Sequence, residues 1–125
     1  IYPEGTRFTP EKRARVIASA EAREDTELAN YARSLSSTLA PRPGGTLALL
    51  NAAPEAVLLV LEHTGFERAT RLPDLASGAL VGLELRARLR AVPRPATTEV
   101  SDLWRIWSDV DAWVAANTAA TGQGE

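Results

Sequence analysis

Apolar residues recur at helical spacing near both ends of this chain and alternate strictly with polar ones in between. Val16, Ile17 and Ala20, then Leu28, Tyr31 and Leu35, keep the three-and-four spacing of an amphipathic helix, and the charged stretch 21–27 interrupts them. Thr9 before Pro10 predicts the first helix start, with threonine as cap and proline at the first helical position. Asp25 or Thr26 predicts the cap of a second helix, so two helical pieces are expected rather than one rod. Ahead of them, Ile1 and Tyr2 read as the end of a strand running into a turn over residues 3–7. Pro41, Arg42, Pro43, Gly44 and Gly45 predict a loop, and residues 46–53 a short helix ended by Pro54.

Residues 57–61 are five consecutive apolar positions, some β-branched, the pattern of a buried strand closed by His63, Thr64 and Gly65. A short helix is expected from Leu72 to about Gly78. Over residues 81–90, Val81, Leu83, Leu85, Ala87 and Leu89 fall on one face of a strand. Gly82, Glu84, Arg86, Arg88 and Arg90 fall on the other, which predicts a buried leucine face and a wet arginine face. Val100, Leu103, Trp104, Trp107, Val110, Trp113 and Val114 line one side of a final helix. Its Trp104 and Trp107 are expected to cover the face carrying Val81, Leu83, Leu85 and Leu89.

The order strand, helices, strand, strand, helix predicts an α/β fold, a layered sheet with flanking helices, occupying residues 1–117 with a flexible tail at 118–125. A sheet of so few strands leaves an edge open, and the chain starts at Ile1 and contains no methionine. Both features are read as signs of a fragment whose N-terminal part lies elsewhere.

Composition narrows the chemistry. The chain has 125 residues, enough for one core, and its 45% hydrophobic and 24% charged content is that of a folded domain. A net charge of −2 gives no electrostatic case for nucleic acid. Without cysteine and with one histidine, His63, thiolate and multi-histidine metal sites are excluded, and no cofactor is expected. No apolar run approaches the ~20 residues of a membrane-spanning helix. Thirteen of the fourteen basic residues are arginine, a bias that points to no site by itself.

The informative segment is Glu4-Gly5-Thr6-Arg7, preceded by Ile1, Tyr2 and Pro3 and followed by Phe8. An arginine fork can bind two phosphate oxygens at once, and a glycine lets the backbone turn and approach a ligand closely. The segment resembles the EGTR block of the glycerolipid acyltransferases. Phe8 to Arg13 looks like the continuation found in their lysophosphatidate acyltransferase branch. Leu39 to Gly45 resembles that branch's later proline–arginine–glycine loop, and Trp104, Trp107, Asp109 and Asp111 its C-terminal end. The chain departs from that pattern at residues 35–39, which lack the branch's glycine–leucine–proline stretch, and after Val57, where a common proline is missing.

The resemblance implies the C-terminal part of such an acyltransferase fold. Arg7 would bind the acceptor phosphate, with Glu4, Gly5 and Thr6 shaping the pocket and Glu4 meeting the glycerol hydroxyl or steadying Arg7. Arg42, in its glycine-rich loop, would make a second anion contact or be a solvated loop residue. The implied partners are an acyl-CoA or acyl carrier protein donor, a phosphorylated glycerol acceptor and, for the complete protein, the cytoplasmic face of the cell membrane.

Catalysis in that family uses a histidine followed five positions later by an acid. His63 has Arg68 at that position and follows the EGTR block instead of preceding it, so it reads as a structural histidine and no catalytic residue is expected in this chain. Arg86, Arg88 and Arg90 read as a solvated face before a lipid-binding one, and the tryptophan helix as core before a membrane anchor. Two other classes fit the same residues: a non-catalytic module that binds a phosphorylated metabolite, and a module that docks a partner through the tryptophan helix.

Overall fold

A computed structural model of the chain describes residues 1–65, 82, 84–95 and 97–121, with side chains as far as 118. It is a mixed α/β structure. In chain order the described elements are α1 (Pro10–Glu21), α2 (Thr26–Ser34), α3 (Pro43–Ala52), β1 (Leu58–Thr64), β2 (Arg86–Val92) and α4 (Val100–Thr121). The two strands pair antiparallel, with Leu58 opposite Val92, Val60 opposite Arg90 and Glu62 opposite Arg88. Among the described residues Ile1 and Tyr2 join no strand, contrary to the sequence reading.

Local chemistry sets the helix starts. Thr9 Oγ1 accepts the Lys12 N–H at 3.2 Å, and Pro10 opens α1. Asp25 Oδ1 accepts the Leu28 N–H at 3.0 Å and caps α2. The two helices pack closely because the residues between them are small: Ala20, Ala29 and Ala32 are buried. Arg13 Nε donates to the Ala32 carbonyl at 3.2 Å, satisfying a group that the end of α2 leaves open. Helix α3 begins at Pro43, earlier than the loop reading allowed. Proline at a first helical position continues a helix without loss, and Gly44 and Gly45 stay within the first turn.

The core lies between the sheet and α4, where Val60, Val92, Ile106, Trp107 and Val110 are buried together. Here the expected faces are reversed. Leu85 and Leu89 are 48% and 64% exposed, while the arginine face of β2 turns toward α4. The cause is Glu62, only 1% exposed, which follows the apolar run within β1. Arg90 Nε donates to Glu62 Oε1 at 2.9 Å, and Arg88 pairs with the other carboxylate oxygen. Burial opposes ionisation of Glu62, but the two guanidinium groups outweigh it and hold the carboxyl below its ordinary range. Arg88 also lies over the Trp113 ring, 5.2 Å from its centroid. Asp109 lies 4.0 Å from Arg90 as a second anion, and the arginine stems serve as covering surface.

Trp104 and Trp107 therefore do not cover the leucine face. Trp107 sits in the core with Val60 and Val92. Trp104, half-buried, stacks on Tyr31 with ring centroids 4.6 Å apart, and Tyr31 donates its hydroxyl proton to the Trp104 carbonyl at 2.9 Å. Val81, Leu83 and the 72–78 helix expectation lie outside the described residues. Helix α4 runs on to Thr121, through positions expected in the tail. Leu59, Leu61 and Leu89 are left on an uncovered sheet face.

Candidate functional site

The Glu4–Arg7 segment is a turn, closed by Gly5 N–H donating to the Tyr2 carbonyl at 3.1 Å. Gly5 takes φ 70°, in the left-handed region that favours glycine. A side chain there would also meet the Arg42 guanidinium, whose atoms lie 3.5–3.6 Å from the position a Cβ would fill. Arg42 reaches the turn because its own N–H donates to the Pro3 carbonyl at 2.8 Å. It is the N-cap residue of α3, where a donor-only guanidinium cannot cap, and its fork lies against the turn. Loop and motif are thus brought together.

Glu4 behaves differently from the expectation that it would face the acceptor. It is 7% exposed, and its Oε2 accepts the Leu39 N–H at 3.0 Å. Burial pushes its carboxyl up to about 7, against the Leu39 N–H and the Trp107 indole, which favour the charged form, while Asp111 adds to the rise. The buried Trp107 Nε1 itself lacks a partner at hydrogen-bond geometry, so its influence on Glu4 is one of proximity. Glu4 anchors the turn to residues 39–42.

A second carboxylate holds the rest of that loop. Asp111 of α4 accepts the backbone N–H groups of Ser37 and Thr38, both at 2.8 Å, and of Ser36 at 2.9 Å. The Ser36 and Thr38 hydroxyls donate to it as well. Burial raises its pKa, but these bonds prevail and the carboxyl stays below its ordinary range. Four successive backbone donors, 36 to 39, thus end on two carboxylates.

The remaining motif residues lie toward solvent. Arg7 is exposed and Thr6 half-buried. Lys12, in the first turn of α1, donates from Nζ to Thr6 Oγ1 at 2.8 Å and to the Arg7 carbonyl at 3.0 Å. Sequence reasoning passed over this residue, although as the one lysine among arginines it was visible. His63 lies on the exposed face of β1, opposite Ala87. Among the described residues no group of three acids or histidines gathers as a metal site, and no helix is long and apolar enough to cross a membrane.

The arrangement is a backbone turn with cations at its rim and its own carboxylate withdrawn inside. Such a surface is suited to an anion. No protein-family model, curated protein or solved structure matches the chain.

Proposed function

We propose that this chain is the acceptor-binding part of a glycerolipid acyltransferase. In this reading the enzyme moves an acyl chain from acyl-CoA or acyl carrier protein to a lysophosphatidate-like acceptor at the cytoplasmic face of the membrane. The supporting observation is the Arg42 guanidinium laid against Gly5 of the EGTR turn, with no carboxylate pairing it among the described residues. Arg7 and Arg42 then offer two forks to one phosphate, and the missing Cβ of Gly5 leaves room for the Arg42 guanidinium beside the turn.

With its phosphate held, the acceptor presents a glycerol hydroxyl to the donor thioester. The hydroxyl oxygen attacks the thioester carbonyl, an ester forms, and the thiol leaves with a proton. The general base for that step is the family's histidine–acid pair, contributed by a part of the enzyme other than these residues. The uncovered leucine face of the sheet fits a chain that packs against such a part.

Acceptor kinetics in the complete enzyme test the reading. Arg7→Ala should raise the KM for lysophosphatidate ~10- to 100-fold, the worth of a charged hydrogen bond of ~1.5–3 kcal/mol, and leave the KM for acyl-CoA near its original value. Arg7→Lys should restore part of the loss, because an ammonium keeps the charge without the fork. Unchanged acceptor kinetics in Arg7→Ala would count against the phosphate role.

A further inference from the structure

Lys12 is the least explained charge in the site. Its ammonium has three donors, and two of them end on neutral oxygens, Thr6 Oγ1 and the Arg7 carbonyl. Among the described residues no carboxylate pairs with it. The acids nearest in sequence are engaged elsewhere. Glu4 is turned inside onto the Leu39 N–H, and Glu11 is held below its ordinary range by its own backbone N–H and the Thr9 hydroxyl. Yet Lys12 is half-buried, where an uncompensated charge costs free energy. Consecutive residues of the turn each carry a cation, Arg42 at Gly5 and Lys12 at Thr6, beside Arg7 itself.

We infer that Lys12 is a third cationic ligand of the phosphate, directed at the turn by Thr6 and the Arg7 carbonyl. The inference rests on the reading of the turn as a phosphate site and assigns it a residue beyond Arg7 and Arg42. A carboxylate on Lys12 would make it a structural strut; neutral partners orient the ammonium and leave its charge for a ligand. Three cations around one anion suit a dianionic phosphate. Affinity should therefore depend on the second ionisation of a phosphate monoester, near pH ~6.

The test is calorimetric titration of the full chain with glycerol 3-phosphate, for wild type, Lys12→Gln, Lys12→Arg and Arg7→Ala. Glutamine keeps donors for Thr6 and the Arg7 carbonyl without the charge. A role limited to holding the backbone thus predicts little change, and a ligand role predicts a loss. We expect Lys12→Gln to bind ~10-fold or more weakly at pH 7.5 and Lys12→Arg to recover most of the loss. The fall in affinity between pH 7.5 and 5.5 should be smaller in Lys12→Gln than in wild type. If Lys12→Gln binds within twofold of wild type while Arg7→Ala does not bind, the inference is overturned and the phosphate reading stands. If wild type itself does not bind, both fall.

Discussion

Trp107→Ala should remove a large share of the protein's stability, ~3–5 kcal/mol. The indole is buried among Val60, Val92, Ile106 and Val110, in the only core that joins the sheet to α4 among the described residues. Removing it leaves a cavity that rigid neighbours on both sides can close only in part. Large-to-small changes of this kind cost ~3–5 kcal/mol, against a stability of ~5–15 kcal/mol for a typical domain. Trp104→Ala should cost visibly less, because Trp104 is half-buried and its contact is a stack on Tyr31 across the surface of α2. Urea unfolding followed by far-ultraviolet circular dichroism separates the two. Equal midpoints for both variants would mean that the core is not centred on Trp107.

The second large effect concerns Asp111. Its replacement by alanine leaves the Thr38 N–H and hydroxyl buried without an acceptor, and frees the Ser36 and Ser37 amides as well. A loss of about 3 kcal/mol or more is expected at pH 7, since each orphaned buried group costs ~1–3 kcal/mol. The pH dependence follows from the sign of the shift. A carboxyl with a lowered folded-state pKa contributes stability above its unfolded pKa and loses it as pH falls through the folded value. The gap between wild type and Asp111→Ala should therefore narrow in acid.

Glu4 has the opposite sign. Its raised pKa makes a contribution that is complete below the unfolded value and lost as pH rises through about 7. Glu4→Gln should thus gain on wild type between pH 5 and 8. Melting temperatures of the three proteins across that range and down to pH 3 read both effects. Parallel curves would show that neither carboxylate titrates as its surroundings require.

Much of the secondary structure was legible because it depends on near neighbours. Thr9 with Pro10 and Asp25 marked two helix starts that their own side chains make. The apolar run around Val60 and the stripe from Val100 marked a strand and a helix. The sheet faces were not legible, because alternation separates two faces without saying which is covered. That choice belongs to Glu62, whose partners Arg88 and Arg90 lie across the sheet and outweigh the preference of Leu85 and Leu89 for burial.

The site divides in the same way. Turn formation at Gly5 is local, and the sequence carries it. That Glu4 points inward depends on Leu39, and that residues 36–38 are fixed depends on Asp111, far along the chain. Lys12 was hidden for another reason: its place beside Thr6 depends on where α1 begins, and a motif read as four letters stops before it.

The claim that the EGTR turn is a phosphate site is tested most directly by ligand pairs differing only in that group. The chain is titrated with a short-chain lysophosphatidate below its micelle concentration, and separately with the monoacylglycerol of the same acyl chain. Saturable binding of the phosphate compound alone, abolished in Arg7→Ala with the fold intact, is the predicted result. Equal binding of the two lipids, or binding of neither, contradicts it.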